Sequence, residues 1–373
     1  MSLKTLRHFS NKYGSNPSYV LAGGGNTSYK NEEHLYIKGS GVSLAEIDEN
    51  GFVCLDRKKL SEIYTRTYPA DSDALEAAVL KDMLAARVEG ETKRPSVETL
   101  LHDIIPTTYV LHLHPSKVNG LTCSAKGEEI FSQQFGEDGI WIRPIMPGYT
   151  LAMVIKEQIE NFKNVKGKLP SVILIENHGI FLGGQSEEEL DNVFEGFVEK
   201  LNGLISREPD LTEGEFDLET AALSAAALRG MLGGNVFCVF RTNAEVKNFT
   251  RDASAFAKAL TTFSPDHMVY CKDEAVFATG STADEIAASM EASIKDYVGR
   301  KNGNPKIVGV QNLGFVHDGA HGRGVRHHQA DAQLHWAISP RLSLELDLSR
   351  IRRSVTAQGQ LREASDEDIA AVL

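Results

Sequence analysis

His112 and His114, in Thr108-Tyr-Val-Leu-His-Leu-His-Pro115, are the residues of this chain best spaced for chemistry. Alternate residues of a β-strand point the same way, so the pair sets two imidazoles on one face and leaves Leu111 and Leu113 on the other, where a core would take them. Pro115 has no ladder donor and ends the strand. Such a pair is half of a zinc site, although the wet face of a half-buried strand can carry the same spacing and bind nothing. His178 is a third candidate, in Ser171-Val-Ile-Leu-Ile-Glu-Asn-His-Gly-Ile-Phe-Leu-Gly-Gly184. There an apolar run reads as a buried strand, Asn177-His178-Gly179 as a turn, and Ile180 to Leu182 as a returning strand. Three histidines with an open fourth position suit a catalytic zinc (Zn2+), because a structural zinc is closed by four protein ligands, usually including thiolates.

Upstream, Arg94-Pro-Ser-Val-Glu-Thr-Leu-Leu-His-Asp-Ile-Ile-Pro106 reads as a short helix capped by Ser96 and stopped by Pro106. Glu98 and His102 share a face of it by their i, i+4 spacing. Spacing alone makes Glu98 a first-turn acid that favours the helix dipole. Leu21-Ala-Gly-Gly-Gly-Asn-Thr-Ser-Tyr-Lys30 is a glycine-rich turn leading into small polar residues whose amides and hydroxyls suit an anion. It has neither the GxxxxGK[ST] nor the GxGxxG order, and the residues after it read as a strand hairpin rather than a helix. Tyr36-Ile-Lys-Gly-Ser-Gly41 is a second strand running into an open turn with a lysine beside it.

The elements that must position these groups are also legible. Asp71 to Val88 carries alanine and leucine at helical spacing, and Ser186-Glu-Glu-Glu189 opens another helix as a capping box. In the latter, Leu190, Val193, Phe194, Phe197, Val198, Leu201 and Leu204 form a stripe suited to packing on a sheet or a subunit. From Ser206 to Glu219 the chain turns acidic and aperiodic, marking a boundary. Val236 to Phe240 then reads as a strand and Thr282 to Tyr297 as a helix. The length of 373 residues suits two domains. Cys54, Cys123, Cys238 and Cys271 are scattered without a CxxC pair, which argues against a disulfide scaffold or a thiolate zinc site and fits a reducing cytoplasm. With no apolar leader and no long uncharged apolar run, neither secretion nor membrane spanning is expected. A net charge of -12 disfavours a general nucleic-acid role but leaves room for a local basic pocket, for which Lys30, Lys38 and Arg94 are candidates.

Taken in order, these motifs resemble the class II aldolase/adducin family over roughly residues 5 to 205. Asn26 falls in its Gly-Asn-x-Ser turn, with Thr27 beside it. Ser40 and Gly41 fall in its phosphate-binding turn, Ser96 and Glu98 in its Ser-x-Glu segment, and His112, His114 and His178 at its three zinc ligands. The resemblance implies a three-layer α/β/α fold around a mainly antiparallel sheet, with a smaller C-terminal α/β domain. It implies Glu98 as the catalytic residue, zinc as cofactor, a phosphorylated sugar as substrate held by Asn26, Thr27, Ser40, Gly41 and Ser96, and a homotetramer. Val97 departs from the pattern, standing where phosphate-binding members often carry a second serine. The expected activity is cleavage of a rhamnulose- or fuculose-type ketose 1-phosphate to dihydroxyacetone phosphate and an aldehyde. A dehydratase or epimerase on the same scaffold and an adducin-like interaction module are the alternatives. Glutamate rather than aspartate at position 98 makes the epimerase weaker than the dehydratase, and the adducin-like module, which predicts loss of the zinc ligands, ranks last. Family members use a tyrosine near a subunit boundary on the aldehyde half, and no tyrosine here matches by local motif.

Phe263-Ser-Pro-Asp-His-Met-Val-Tyr-Cys271 and Pro305-Lys-Ile-Val-Gly-Val-Gln-Asn-Leu-Gly-Phe315 resemble segments of long bacterial members that fuse such an aldolase to a short-chain dehydrogenase. Too few residues follow Phe315 for a dehydrogenase, so a stand-alone aldolase-like chain is expected. His267 reads as part of a structural turn after Pro265. The expected domains are 1–210 (zinc domain), 219–315 (second α/β domain) and 316–373 (atypical tail). Five of the chain's twelve histidines lie between His317 and His335. That tail reads as disordered, with a divergent helix or an altered reading frame as alternatives, and no catalytic role is expected of it.

Overall fold

The computed structural model describes residues 3–21, 23–233, 237–260 and 262–319. Among these the chain divides into two compact units, one made of residues up to Thr122 together with Gly127–Gly203, the other of Cys123–Lys126 and the chain from Leu204 on.

In the first unit the strands are β1 (Asn26–Lys30), β2 (His34–Lys38), β3 (Phe52–Asp56), β4 (Tyr109–Leu113), β5 (Gly139–Ile142), β6 (Val172–Ile175) and β7 (Gly179–Gly184). They form one sheet in the order β3-β2-β1-β4-β7-β6-β5, antiparallel except for the β5–β6 pair. The helices are α1 (Leu3–Gly14), α2 (Arg57–Ile63), α3 (Ser72–Ala85), α4 (Thr99–Ile104), α5 (Ser116–Thr122), α6 (Gly127–Phe135), α7 (Tyr149–Lys166) and α8 (Glu187–Asn202). Side chains of α2, α3, α4 and α7 pack on Leu35, Ile37, Val53, Val110, Ile173 and Phe181 from one side of the sheet. On the other side Phe9 of α1 meets Tyr109 edge-on at 5.5 Å, and Phe194 of α8 meets Tyr13 at 5.4 Å. This is the three-layer α/β/α arrangement with a mainly antiparallel sheet.

Both faces of β4 are therefore covered. His112 shares its face with Val110 and is fully buried, its ring stacked at 3.9 Å on Phe181. The histidine face is not the wet side of a half-buried strand; helices cover it as they cover Leu111 and Leu113. In α8 the apolar stripe buries Leu190, Phe194, Phe197 and Leu201, and Ser186 caps the helix by accepting from the Glu189 amide. The Glu189 carboxylate accepts from Gln185 N instead of closing a box with Ser186. Ser96 does not cap α4, which begins at Thr99 with Glu98 in the cap position. Ser96 Oγ instead accepts from Glu98 N at 3.3 Å, a side-chain turn that sets Glu98 at the head of the helix.

The second unit holds β8 (Phe237–Arg241), β9 (Val276–Ala278), β10 (Ile307–Val310) and β11 (Gly314–Gly319) in the order β8-β11-β10-β9. Its helices are α9 (Leu218–Met231), α10 (Ala244–Thr250), α11 (Ala253–Ala257), α12 (Pro265–Cys271) and α13 (Ala283–Lys301). α9 and α13 cover one side of this sheet, and α10, α11 and α12 the other. His267 lies in α12, where Ser264 caps the first turn and Pro265 takes the first helical position. The expected boundary at residue 316 is displaced. Val316 and His317 are buried inside β11, paired to β10 on one side and β8 on the other, so a domain ending at Phe315 would cut a central strand. The remaining histidines of the tail lie outside the described residues.

Candidate metal centre

Three strand ends converge on the histidines. β4 carries His112 as its fourth residue and delivers His114 just past its end, where the His114 amide donates to Tyr19 O at 3.1 Å. β7 pairs antiparallel with β4 so that Leu113 faces Ile180, which brings the turn before β7, and His178 in it, beside them. Asn177 holds that turn in the left-handed region at φ 58°. Ring centroids are 4.7 Å apart for His112–His114 and 5.1 Å for each pair with His178. One nitrogen from each ring lies within 4.8 Å of the others, making this the one group of such side chains able to share a metal ion among the described residues.

The protonation pattern suits a ligand set. His112 Nδ1–H donates to Ile180 O at 3.0 Å, which leaves the lone pair on Nε2, directed at His114 Nε2 2.9 Å away. Burial holds the His112 ring well below the usual histidine range, and the neighbouring His114 adds to this. Burial also pulls His178 down to about 3, against the opposing attraction of Glu98. At neutral pH His112 and His178 are therefore uncharged.

Glu98, at the head of α4, completes the cluster. Its Oε2 accepts from Asn26 Nδ2 at 2.6 Å and lies 3.4 Å from His112 Nε2. Its Oε1 lies 3.4 Å from His178 Nε2 and accepts no hydrogen bond, although the residue is only 6 % exposed. Burying a carboxylate costs on the order of several kcal/mol unless a cation or a full set of donors offsets it. Neutral imidazoles do not offset it. A metal cation among the three nitrogens fits both the His112 lone pair directed into the cluster and the orphaned carboxylate oxygen.

The two turns lie beside this cluster. Gly39 bridges to Pro95, Ser40 N donates to Arg94 O at 2.8 Å, and Ser96 N donates to Lys38 O at 3.2 Å, so the Ser40-Gly41 turn is laced to the Ser96 segment. Buried Lys38 reaches Gly23 O at 2.9 Å and Val42 O at 2.7 Å, tying the glycine turn to the second turn. Gly25 sits at φ +64° with a position for Cβ only 2.8 Å from His112 O, so a side chain there would strain both the turn and β4. Ser40 and Gly41 are exposed.

Two expected substrate-binding residues are placed otherwise. Thr27 points to the opposite side of β1, its hydroxyl 2.7 Å from Ser10 Oγ in the core, because neighbouring strand residues alternate faces. Asn26 faces the cluster but spends its amide on Glu98, Ser96 and His102. Of the basic candidates, Lys30 is buried with Nζ on His102 O at 2.6 Å and is pulled down to about 7 by that burial. Arg94 is exposed.

Residues 10–199 match the family described as Class II Aldolase and Adducin N-terminal domain, which spans the whole cluster and both turns. The chain belongs to this family. A Bacillus subtilis (strain 168) protein named Uncharacterized oxidoreductase YuxG is 29 % identical over 196 residues, which are 50 % of this chain and 27 % of that protein. This chain thus spans about a quarter of that relative's length. The N-terminal class II aldolase domain of a Thermoplasma acidophilum protein is 24 % identical with a TM-score of 0.46, covering 54 % of this chain and 93 % of that one. The l-fuculose-1-phosphate aldolase of Thermus thermophilus is 15 % identical with a TM-score of 0.33, covering 53 % of this chain and 88 % of that one.

In this class II aldolase-family chain, sequence reading missed the residues that hold the cluster from behind. Phe181 stacks on His112, and His102 holds Asn26. The signal for Phe181 was its place in an apolar strand, which does not distinguish a ring on a histidine from a ring in a core. Gly179 is a further case of close approach. A Cβ there would stand 2.4 Å from Leu113 O and 2.7 Å from His114 Cδ2. Gly179→Ala is therefore expected to push the histidines apart and weaken metal binding about 10- to 100-fold, as loss of ligand support does, measured by competition with a chromophoric chelator. Unchanged affinity would mean the histidines are not the ligands.

Proposed function

We propose that the chain is a zinc-dependent aldolase that cleaves a rhamnulose- or fuculose-type ketose 1-phosphate to dihydroxyacetone phosphate and an aldehyde. The observation that carries this reading is Glu98, a buried carboxylate with one oxygen held by Asn26 and the other unpartnered beside the three clustered imidazoles. His112, His114 and His178 would hold the zinc, since three nitrogen donors without a thiolate leave a position open for substrate. When bound, zinc supplies a Lewis acid that polarises the ketose carbonyl.

Glu98 Oε1 moves the proton at the carbon next to the carbonyl, taking it in the synthetic direction and returning it after cleavage. The Asn26 hydrogen bond keeps the carboxylate from turning away. Ser40 and Ser96 bind the phosphate through their hydroxyls and Gly41 through its backbone amide, the amides of the two serines being held by Arg94 O and Lys38 O. Val97, 52 % exposed between Ser96 and Glu98, presents an apolar surface there and limits that nest to one side-chain hydroxyl from this segment. A soluble cytoplasmic homotetramer is the assembly this reading carries with it; no described helix is long and apolar enough to cross a membrane.

The test is release of dihydroxyacetone phosphate from a panel of ketose 1-phosphates, before and after chelation and after zinc is restored. Zinc-dependent release from one member establishes the aldolase and names its sugar. A zinc-loaded protein that releases none is instead a dehydratase or epimerase, and a purified protein that never takes up metal is an adducin-like module.

A further inference from the structure

Behind Glu98 lies a line of buried hydrogen bonds whose proton directions can be read end to end. Asn26 Nδ2–H donates to Glu98 Oε2 at 2.6 Å and to Ser96 Oγ at 3.3 Å. This turns Asn26 Oδ1, an acceptor, toward His102 Nε2, with which it is in hydrogen-bond contact. His102 must then carry its proton on Nε2 and its lone pair on Nδ1, and Ser28 Oγ–H, 2.7 Å away, donates to that lone pair. The opposite tautomer would set two acceptors against each other at Asn26.

The folding that builds this line is local on each side. Asn26 and Ser28 alternate onto one face of β1, and His102 stands one turn after Glu98 on the same face of α4. Lys30 Nζ holds the His102 carbonyl at 2.6 Å, and the His102 ring meets Phe181 edge-on at 5.7 Å. Ser28 and His102 are fully buried, and Asn26 and Glu98 nearly so, which leaves no solvent to replace a missing donor. Burial, with His112 and Lys30 adding to it, keeps the His102 ring neutral by holding it well below the usual histidine range.

We propose that His102 is a positioning residue, fixed as its Nε2–H tautomer by Asn26 Oδ1 with Ser28 completing its hydrogen bonds at Nδ1, which locks the Asn26 amide so that Glu98 Oε2 is occupied and Oε1 alone is presented for proton transfer. Its consequence for turnover rests on the reading of Glu98 as the group that moves the substrate proton. The tautomer itself does not.

The experiment therefore has two arms on the full zinc-loaded chain. In the first, two-bond 1H–15N correlations of 15N-histidine-labelled protein should show His102 as the Nε2–H tautomer. An Nδ1–H or doubly protonated His102 in the native protein overturns the proposal. In the second, His102→Gln places an amide donor where Nε2 was, whereas His102→Asn reaches only the Nδ1 position. His102→Asn should turn over about 10- to 100-fold more slowly than His102→Gln, the scale set by loss of an outer-shell partner, with KM and bound zinc alike in the two. Equal kcat in the two variants, or equal loss of zinc in both, reduces His102 to a structural residue and overturns the proposal. If the native protein cleaves no ketose phosphate, the aldolase reading fails and the tautomer arm alone decides the relay.

Discussion

Glu98→Gln is expected to slow exchange of the ketone's α-proton by about 100- to 10,000-fold, the range that a positioned acid or base contributes, while the protein keeps its zinc. Glutamine has the shape of glutamate and its amide oxygen still accepts from Asn26 Nδ2, so the hydrogen bond at 2.6 Å has a successor. What disappears is the basic oxygen beside His178. Incorporation of deuterium from solvent into dihydroxyacetone phosphate, followed by proton NMR, reads the exchange without requiring the aldehyde or full turnover. Metal analysis on the same sample separates loss of the base from loss of the site. Exchange at the native rate in a zinc-loaded variant would remove Glu98 from the chemistry.

His178→Ala should lose the metal itself. With two imidazoles left, zinc affinity is expected to fall by more than the about 100-fold that removal of an outer-shell partner costs, and cleavage with it. Stability offers an independent reading, because a ligand present at about 100 times its dissociation constant stabilises the fold by about 2.7 kcal/mol. The melting temperature of the native chain should drop on chelation and recover with zinc, whereas that of His178→Ala should ignore both treatments. A variant that still binds about one zinc per chain with native affinity would show that the cluster at His112, His114 and His178 is not the metal centre.

Much of the positioning framework was readable because short-range signals agreed. Asp71 and Thr282 cap the helices expected after them, and the Asn177–Gly179 segment turns between the two apolar strands where the loss of apolar pattern said it would. The misreadings have a common form. Ser96 is a good capping residue, but its hydroxyl is used just ahead of the helix, on Glu98 N, where Gly39 and Pro95 bridge that segment to the second turn. The boundary at residue 316 followed a change in composition, yet β11 continues to Gly319 because Val316 fills a core on one side of its sheet while flanking strands saturate its backbone.

By itself the sequence determined the residue types and local geometry of the site: a His-x-His strand, a histidine in a turn before the next strand, a glutamate at a helix head, and two small open turns. These follow from periods of two and of about 3.6 residues and from turn chemistry, all of which act within a few neighbours. Only the tertiary structure decided which groups the site uses and in what state. The pairing of β4 with both β1 and β7 brings Asn26, His112 and His178, far apart in the chain, into one cluster. The helices over that face keep His112 and His178 neutral and hold the Asn26 amide on Glu98, while α1 on the other side of the sheet receives Thr27 through Ser10. Burial and hydrogen-bond direction depend on what covers each atom, and no pattern along the chain specifies that.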